Sequence, residues 1–382
     1  MFNLESERVV TEPKIQSLPS KYDDKIESEL NSIGYSLERP RELAGAVKKL
    51  SDFYTANPEG RSPWGEPWMR AASMAYYFPL NYARNRAVAR EAIRVGFFQG
   101  LDTLFDFGSG MGSAVLALRD QLSEFESEAI DGKKLNLIAY DLSETALEHG
   151  RQLEQSSVSN TCYLSKLDLD GPFNSKFQGN RIDSKSTALV SSYALTELVK
   201  APDWWSQCEA LYIVEPSSRE DARSLMSYRS DLIANGYSIW APCTHHLDCP
   251  LLVNSEKDWC HDRLVWKAPD WFRDVEKFLP MKNNTITYSY LLARRSKRGD
   301  ADDQQDEYGR IRVVGDMLVE KGKTRQLICR GPEREFLTWF PNRMSKGEEV
   351  HLHRGDLIRL HGEEQKNGNE MRIKTSRVIE VI

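Results

Sequence analysis

The chain has 382 residues, of which 40% are hydrophobic and 28% are charged. This composition can bury a sizeable core, which excludes wholesale disorder, and the length suggests two domains or one domain with an appendage. No stretch reaches the roughly 18 uninterrupted apolar residues of a transmembrane helix. The opening MFNLESERVVTEPK resembles neither a secretory signal nor a transit peptide. The sequence therefore predicts a cytoplasmic, monomeric protein without a membrane partner.

The charge is unevenly distributed along the chain. The formal net charge of −6 disfavours a nucleic-acid partner for the protein as a whole. Residues 308–382, however, contain more Lys and Arg than Asp and Glu. This mildly basic region is the expected contact for an RNA backbone, although an ordinary solvated surface explains it equally well.

The first hundred residues have helical signals. Residues 1–38 lack a clear period and are predicted to form a loosely helical N-terminal arm. Residues 39–100 are predicted to be a helical region, because AGAVKKLSDFY and ARNRAVAREAIRVG place apolar residues three and four positions apart. Pro79 is expected to break or kink its helix.

From Leu101 the pattern changes to short apolar runs that alternate with helical segments. The predicted strands lie in LDTLFDF, KLNLIAYD, SKSTALVSSYAL, EALYIVEPS and NTITYSYLLARRS. Such alternation favours a mainly parallel sheet covered on both faces. Residues 101–295 are therefore predicted to form an α/β, doubly wound, Rossmann-like domain.

Two further regions complete the predicted organisation. Residues 296–307 are rich in charge, lack periodicity and are predicted to be a linker. Residues 308–382 contain five short alternating segments separated by turn residues, which predicts a small β-barrel-like domain.

A glycine-rich turn between the first predicted strand and its helix is the clearest binding signal. Asp106 ends the strand, and Gly108, Ser109, Gly110 and Gly112 follow it. Glycines let the backbone approach a ligand, and the helix N-terminus offers free N–H groups. The spacing G-x-G-x-G is not the dinucleotide G-x-G-x-x-G. It resembles the first motif of class I S-adenosylmethionine methyltransferases.

Further cofactor contacts are predicted at the ends of the next strands. Asp141 with Leu142 would bind the ribose, Asp168 with Leu169 would lie near the adenine, and Ser192 would line the methyl-transfer pocket beside Tyr193. A glycine turn without a ligand is the alternative. The sequence has no N/D-P-P-Y/F tetrad and no cysteine nucleophile after the fourth strand, so its catalytic residues stay unknown.

Four of the six cysteines form a second constellation, with the spacing C-x5-C-x10-C followed by a distant fourth. They are Cys243, Cys249, Cys260 and Cys329. In a cytosolic protein such a set favours a metal over disulfides. Four thiolates suit either zinc or an iron–sulfur cluster, and the spacing matches neither a zinc ribbon nor a ferredoxin. His245, His246 or His261 could replace a sulfur on zinc, and unrelated cysteines remain an alternative. The segment 241–262 is thus a predicted metal-binding insertion.

Together these residues resemble one family. SYALTEL, VEPS and above all APCTHHLDCPL…DWCH are similar to the methyltransferase-like assembly factors of the mitochondrial small ribosomal subunit and their bacterial relatives. The resemblance runs from about Tyr76 to the end of the β domain. It implies a [4Fe–4S] cluster on the four cysteines and association with small-subunit ribosomal RNA.

Three functions are compatible with these signals. The first is an S-adenosylmethionine-binding ribosome-assembly factor with a structural cluster, which need not transfer a methyl group. The second is an active RNA methyltransferase, with a structural zinc site and a non-ribosomal target as one form of it. The third is an iron–sulfur redox protein.

Overall fold

The structure is a computed structural model of the chain. It describes residues 8–57, 62–125, 135–154, 161–167, 171–174, 176–177, 180–198, 200–295, 309–362 and 365–382. Two compact units are distinguished by their internal contacts. The α/β unit consists of residues 15–215 and 264–286, and the cysteine unit of residues 1–14, 216–263 and 287–382. The predicted linker at 296–307 lies outside the described residues, and the predicted domain bounds stay a prediction.

Nine α-helices are found in the described part of the chain. They are α1 (Asp23–Ser32), α2 (Pro40–Ala56), α3 (Pro67–Ala72), α4 (Phe78–Arg94), α5 (Ser113–Glu124), α6 (Glu144–Glu154), α7 (Arg219–Ala234), α8 (Pro250–Val253) and α9 (Asp270–Glu276). A π-helical turn, Ser73–Tyr77, joins α3 to α4. Pro79 is the second residue of α4, where its missing N–H is not needed by the helix. None of the helices described is both long and apolar enough to span a membrane.

The centre of the α/β unit is a parallel sheet. Its strands are β3 (Thr103–Phe107), β4 (Asn136–Tyr140), β5 (Thr161–Leu164), β8 (Thr187–Ser192) and β9 (Ala210–Glu215), in the order β9-β8-β3-β4-β5. All neighbours in this order are parallel. Every residue of β9 is buried, as expected for a strand covered on both faces. The predicted doubly wound α/β fold is therefore confirmed.

This strand order reverses direction next to the glycine turn. β3 and β8 are neighbours in the sheet. From β3 the chain continues to β4 on one side of this pair, and from β8 it continues to β9 on the other side. In open α/β sheets, ligands bind at the carboxyl ends of the strands at such a reversal. The turn after β3 and the segment after β8 therefore lie where a ligand site is expected.

The N-terminal arm is less helical than predicted. Residues 8–38 contain β1 (Arg8–Val10), β2 (Ile15–Ser17) and α1. β1 pairs in parallel with β16 (Glu349–His351) in the cysteine unit, whereas β2 pairs with residues 265–267 in the α/β unit. The short strands are stabilised by partners far away in sequence, which a local period does not reveal.

The remaining strands lie mainly in the second half of the chain. They are β6 (Lys176–Phe177), β7 (Asn180–Arg181), β10 (Ser238–Ala241), β11 (Asp262–Lys267), β12 (Thr285–Arg294), β13 (Arg310–Glu320), β14 (Lys323–Cys329), β15 (Glu335–Trp339), β17 (Leu357–Leu360), β18 (Gln365–Asn367), β19 (Glu370–Arg372) and β20 (Ile379–Val381). β6 and β7 form a short antiparallel pair, and β10 is antiparallel to β12.

A curled seven-stranded sheet forms the C-terminal part of the cysteine unit, in the order β18-β19-β15-β14-β13-β17-β20. Its apolar side chains, among them Val313, Ile328, Leu337 and Ile358, pack into one core. The predicted small C-terminal β domain is confirmed, with more strands than the five predicted segments. The difference arises partly because the last segment is divided by a 3-10 turn at Ser376–Val378.

Candidate functional site

The glycine turn adopts a backbone that side chains rarely tolerate. Gly108, Gly110 and Gly112 have φ angles of 70°, 53° and 79°. A Cβ atom at Gly108 would lie 2.8 Å from the Cβ of Ala194, in the segment after β8. The turn therefore approaches the β8 end closely, and it can do so because residue 108 is glycine.

Asp106 lies at the base of this turn, on β3. Its side chain is 1% exposed, and neither carboxylate oxygen has a hydrogen-bond partner among the described residues. Burial raises the pKa of Asp106 to about 8. The backbone amide of Val115 favours the charged form and lowers the pKa, but it offsets the effect of burial only in part. The hydroxyl of Ser109 is likewise buried without a partner in the described chain. Unsatisfied polar atoms of this kind call for a missing partner, such as a ligand or water.

Asp141, at the end of β4, is joined to the glycine turn. Its Oδ2 accepts a hydrogen bond from the Gly110 amide at 2.9 Å, and its Oδ1 accepts one from the Ser143 amide at 2.8 Å. Burial raises the pKa of Asp141, while these two amides lower it. A carboxylate has about four acceptor positions, so two remain for hydroxyl donors. Leu142, the next residue, is 68% exposed.

The segment after β8 forms the other wall. Ser192 accepts a hydrogen bond from Asn85 Nδ2 at 2.9 Å. Tyr193 has a φ of 61°, which is strained for a bulky residue. The buried Glu215 carboxylate holds the segment by accepting from the amides of Leu195 and Thr196 at 3.1 and 3.3 Å. Glu215 thus has a structural role at the end of β9.

One residue of this region was not found from the sequence. The ring of Trp64 lies 3.4 Å from where a Cβ of Gly110 would be, so the indole covers the glycine turn. Trp64 belongs to NPEGRSPWGEPW, whose Pro and Gly content predicts a loop and nothing about its contacts. The structure thus brings together the predicted residues at 106–112, 141 and 192, whereas Asp168 and Leu169 lie outside the described residues.

The four cysteines of the second constellation all belong to the cysteine unit. Cys249 and Cys329 are buried, and Cys243 and Cys260 are partly buried. Burial raises the pKa of Cys249, Cys260 and Cys329, and negative charge on the neighbouring cysteines raises it further. Because this mutual effect weakens with distance, the four thiols lie in one neighbourhood.

Hydrogen bonds connect the two cysteine-bearing segments. The Cys329 sulfur lies 3.4 Å from His245 Nε2, and the Thr244 hydroxyl donates to the Cys329 carbonyl at 3.3 Å. Burial, followed by the charge of Arg229, lowers the pKa of His245 to about 4, so the imidazole is neutral at physiological pH. His246 Nε2 accepts from the Ile239 amide at 2.9 Å. The loop 243–249 is therefore held against the end of β14.

Among the residues that the structure describes, no group of three or more His, Cys, Asp and Glu side chains is arranged to hold a single metal ion. The mutual electrostatic effects indicate that the four thiols lie near one another, and their predicted role as metal ligands stays a prediction.

Arg229, on α7, is a second residue that was not found from the sequence. It is 1% exposed, and its Nε donates to the Cys243 sulfur at 3.1 Å. A signal was available, because Arg229 occupies a position within the apolar stripe of its helix. The other buried residues of that helix are Ala222, Leu225, Met226 and Leu232. An arginine within such a stripe needs a buried partner.

Comparisons with solved structures match part of the chain at low identity. A candidate RNA methyltransferase from Pyrococcus horikoshii is 10% identical, with a TM-score of 0.33, over 56% of this chain and 85% of its own. An rRNA methylase from Streptococcus thermophilus is 11% identical, with a TM-score of 0.30, over 55% of this chain and 95% of its own. An S-adenosylmethionine-dependent methyltransferase from Aquifex aeolicus is 16% identical, with a TM-score of 0.30, over 42% of this chain and 82% of its own.

No curated protein matches the sequence. A family model does match, over residues 70–348, which include the glycine turn and all four cysteines discussed above. The family is described as mitochondrial small ribosomal subunit Rsm22. Since the match covers well over half of the sequence, the chain belongs to the Rsm22 family.

Proposed function

We propose that this protein binds S-adenosylmethionine at the glycine turn, carries a structural [4Fe–4S] cluster on four cysteines, and binds or acts on small-subunit ribosomal RNA during ribosome assembly. The observation that carries the cofactor assignment is the set of glycines and polar groups at the carboxyl ends of β3 and β4, close to the segment after β8. The carboxylates of Asp106 and Asp141 and the hydroxyl of Ser109 lie there, beside three glycines with positive φ angles.

The residues of this region fit the cofactor. The glycine backbone leaves room for the methionine moiety, and the unpartnered Asp106 and Ser109 side chains offer polar atoms beside it. The free acceptor positions of Asp141 suit two ribose hydroxyls. When bound, S-adenosylmethionine supplies an electrophilic methyl group on its sulfonium. Ser192, at the end of β8, would line the side from which an acceptor approaches.

The chemistry of the donor set supports the cluster. Cys243, Cys249, Cys260 and Cys329 provide four thiols in one neighbourhood, and soft thiolate ligands select zinc or iron–sulfur clusters. A bound cluster supplies a cross-link through its iron–sulfur bonds. The cysteines would then tie the loop after β10 to β14, since Cys329 ends that strand.

The partner is inferred from the family. Its description refers to the mitochondrial small ribosomal subunit. A chain of the same family is expected to serve a small ribosomal subunit. An excess of Lys and Arg in residues 308–382 is compatible with a phosphate backbone as its contact.

Calorimetric titration with S-adenosylmethionine tests the cofactor site. Binding with one site per chain is expected, and Gly110→Val should abolish it by blocking the turn. Because residue 110 has a φ of 53°, the valine is also strained there, so the melting temperature should fall while circular dichroism still shows a folded protein. Equal affinities of the wild type and Gly110→Val would refute the site.

Anaerobic purification followed by visible spectroscopy and analysis of iron, sulfide and zinc tests the metal centre. A brown protein with equal amounts of iron and sulfide is expected. A colourless protein with zinc, or without metal, would refute the cluster.

Sedimentation of cell extracts tests the partner. The protein is expected in fractions that contain small-subunit precursors, and its absence from all of them would refute the ribosomal assignment. Maps of small-subunit RNA methylation from cells with and without the protein then decide whether it transfers a methyl group.

A further inference from the structure

Arg229 is a buried cation whose position the proposed cofactor site does not explain. It lies on α7 (Arg219–Ala234) and is 1% exposed. Its Nε donates to the Cys243 sulfur at 3.1 Å, and its Nη2 donates to the carbonyls of His245 and Leu247 at 2.6 and 3.0 Å. The guanidinium thus binds the cysteine loop at three points.

No carboxylate in the described part of the chain pairs with this guanidinium. Its neighbours of potential negative charge are the thiols of Cys243, Cys249 and Cys329. A buried cation without a counter-charge is strongly destabilising, whereas a paired one is tolerated. Among the described residues, the one side chain to which this guanidinium donates a hydrogen bond is Cys243, so Arg229 is joined directly to one of the four proposed ligands.

We propose that Arg229 is a positioning residue of the metal centre: it fixes the loop that carries Cys243 and Cys249 and supplies positive charge to their thiolates. This inference rests on the proposed cluster. Hydrogen bonds to the sulfurs and the net charge of the site are two factors that set the stability and reduction potential of iron–sulfur clusters. Arg229 contributes both through one side chain.

The same helix offers a matched control. Arg223 is partly buried and also reaches the cysteine segment, donating to the carbonyls of Leu251, Leu252 and Ser255 at 2.9, 2.9 and 2.7 Å. No hydrogen bond to sulfur is found for it in the described structure. Replacing Arg223 therefore removes an arginine that links α7 to the loop and leaves the Cys243 sulfur contact in place.

The test compares Arg229→Met and Arg223→Met with the wild type in the full chain, purified anaerobically. Two quantities are measured: the rate at which an iron chelator bleaches the visible absorption, and the midpoint potential during reduction with dithionite, which supplies one electron per cluster. Arg229→Met should bleach about tenfold faster, in keeping with the loss of other outer-shell partners. Its midpoint potential should shift to more negative values, because a positive charge near the reduced cluster is lost. Arg223→Met should keep the wild-type potential.

Equal bleaching rates and equal potentials in the two variants would overturn the inference and leave Arg229 a structural link only. If Arg229→Met does not fold, Arg229→Lys decides the question. Lysine keeps the charge but cannot span a sulfur and two carbonyls, so faster bleaching is expected and a wild-type rate would overturn the inference. A wild-type protein without iron would refute the proposed cluster itself. A wild-type protein with iron, whose cluster is unchanged in Arg229→Met, would refute only the role of Arg229.

Discussion

Asp120 is the residue whose replacement should lower the stability of the α/β unit most clearly. It lies on α5, the helix that follows the glycine turn, and is 6% exposed. Its Oδ2 accepts hydrogen bonds from the hydroxyls of Tyr22 and Tyr82 at 2.8 and 2.7 Å. Its Oδ1 accepts from Lys21 at 2.8 Å and Arg119 at 2.9 Å. One carboxylate therefore links α5 to the N-terminal segment and to α4.

The cost of Asp120→Asn follows from these contacts. The amide oxygen can still accept from both tyrosines, but each bond loses the assistance of a charge, which is worth about 1 kcal/mol per bond. The Lys21 side chain is 49% exposed, so its pair adds little. Arg119 keeps Glu154 as a partner at 3.0 Å. We expect a loss of about 2 kcal/mol in the free energy of unfolding. Asp120→Leu leaves both hydroxyls without this acceptor and should cost about 4 kcal/mol.

The loss should depend on pH in one direction. Burial alone would raise the pKa of Asp120, but the hydrogen bonds from Lys21, Tyr82 and Tyr22 and the charge of Arg119 together lower the pKa below its usual 3.8. A depressed folded-state pKa gives a stabilisation that is fully present above the unfolded value. It is lost as the pH falls through the folded-state value. Wild type and Asp120→Asn should therefore differ at neutral pH and converge in acid below 3.8.

Urea unfolding followed by circular dichroism, at neutral pH and in acid, measures this difference. Asp203→Asn is the matched control, because its side chain is 88% exposed and pairs with Lys200 on the surface. No measurable change is expected there. An effect of Asp120→Asn as small as that of the control would refute the reasoning. A difference that persists unchanged in acid would refute its electrostatic part.

Four other substitutions have definite expected results. Asp141→Ala should weaken S-adenosylmethionine binding roughly 10- to 100-fold by removing a charged acceptor, and an unchanged affinity on calorimetric titration would contradict its role. Gly315→Ala places a Cβ 2.6 Å from that of Leu327, so it should lower the free energy of unfolding by about 2 kcal/mol. Gly45→Ala, where a Cβ meets nothing within 4 Å, should instead raise it by up to about 1 kcal/mol in urea titrations. Cys260→Ser should lose iron and lower the melting temperature of the cysteine unit, and full iron content would remove Cys260 from the proposed ligands.

The central fold could be predicted because its signals are local. Five predicted apolar runs coincide with strands, from Thr103–Phe107 to Thr285–Arg294, and the helical periods at 40–56 and 78–94 were equally clear. The strands of the N-terminal arm were missed because each is stabilised by a partner strand that is distant in sequence. Thus Val9 pairs with Val350, and a three-residue strand has no measurable period of its own.

For the candidate site too, the residues with local sequence signals were predicted and those defined by distant contacts were not. Glycine spacing and acidic strand ends pointed to Asp106 and Asp141, because the role of each follows from its place after a strand. Trp64 and Arg229 were not predicted, since a contact across the fold determines what each side chain does. Arg229 nevertheless occupies a position on the apolar face of its helix. The sequence of that helix alone therefore shows a charged residue where an apolar one is expected.

The division of the chain into segments affects how this protein can be synthesised and dissected. The cysteine unit is assembled from three stretches and the α/β unit from two, so the two alternate along the sequence. β1, at residues 8–10, has its partner at 349–351 and must wait for nearly the whole chain to leave the ribosome before it can pair. The cysteine unit therefore cannot be completed until late in vectorial synthesis, whereas every residue of the α/β unit has been synthesised once residue 286 is added. A single proteolytic cut or a simple truncation will not release either unit intact, and separate expression would require circular permutation or a designed connection across the excised stretches.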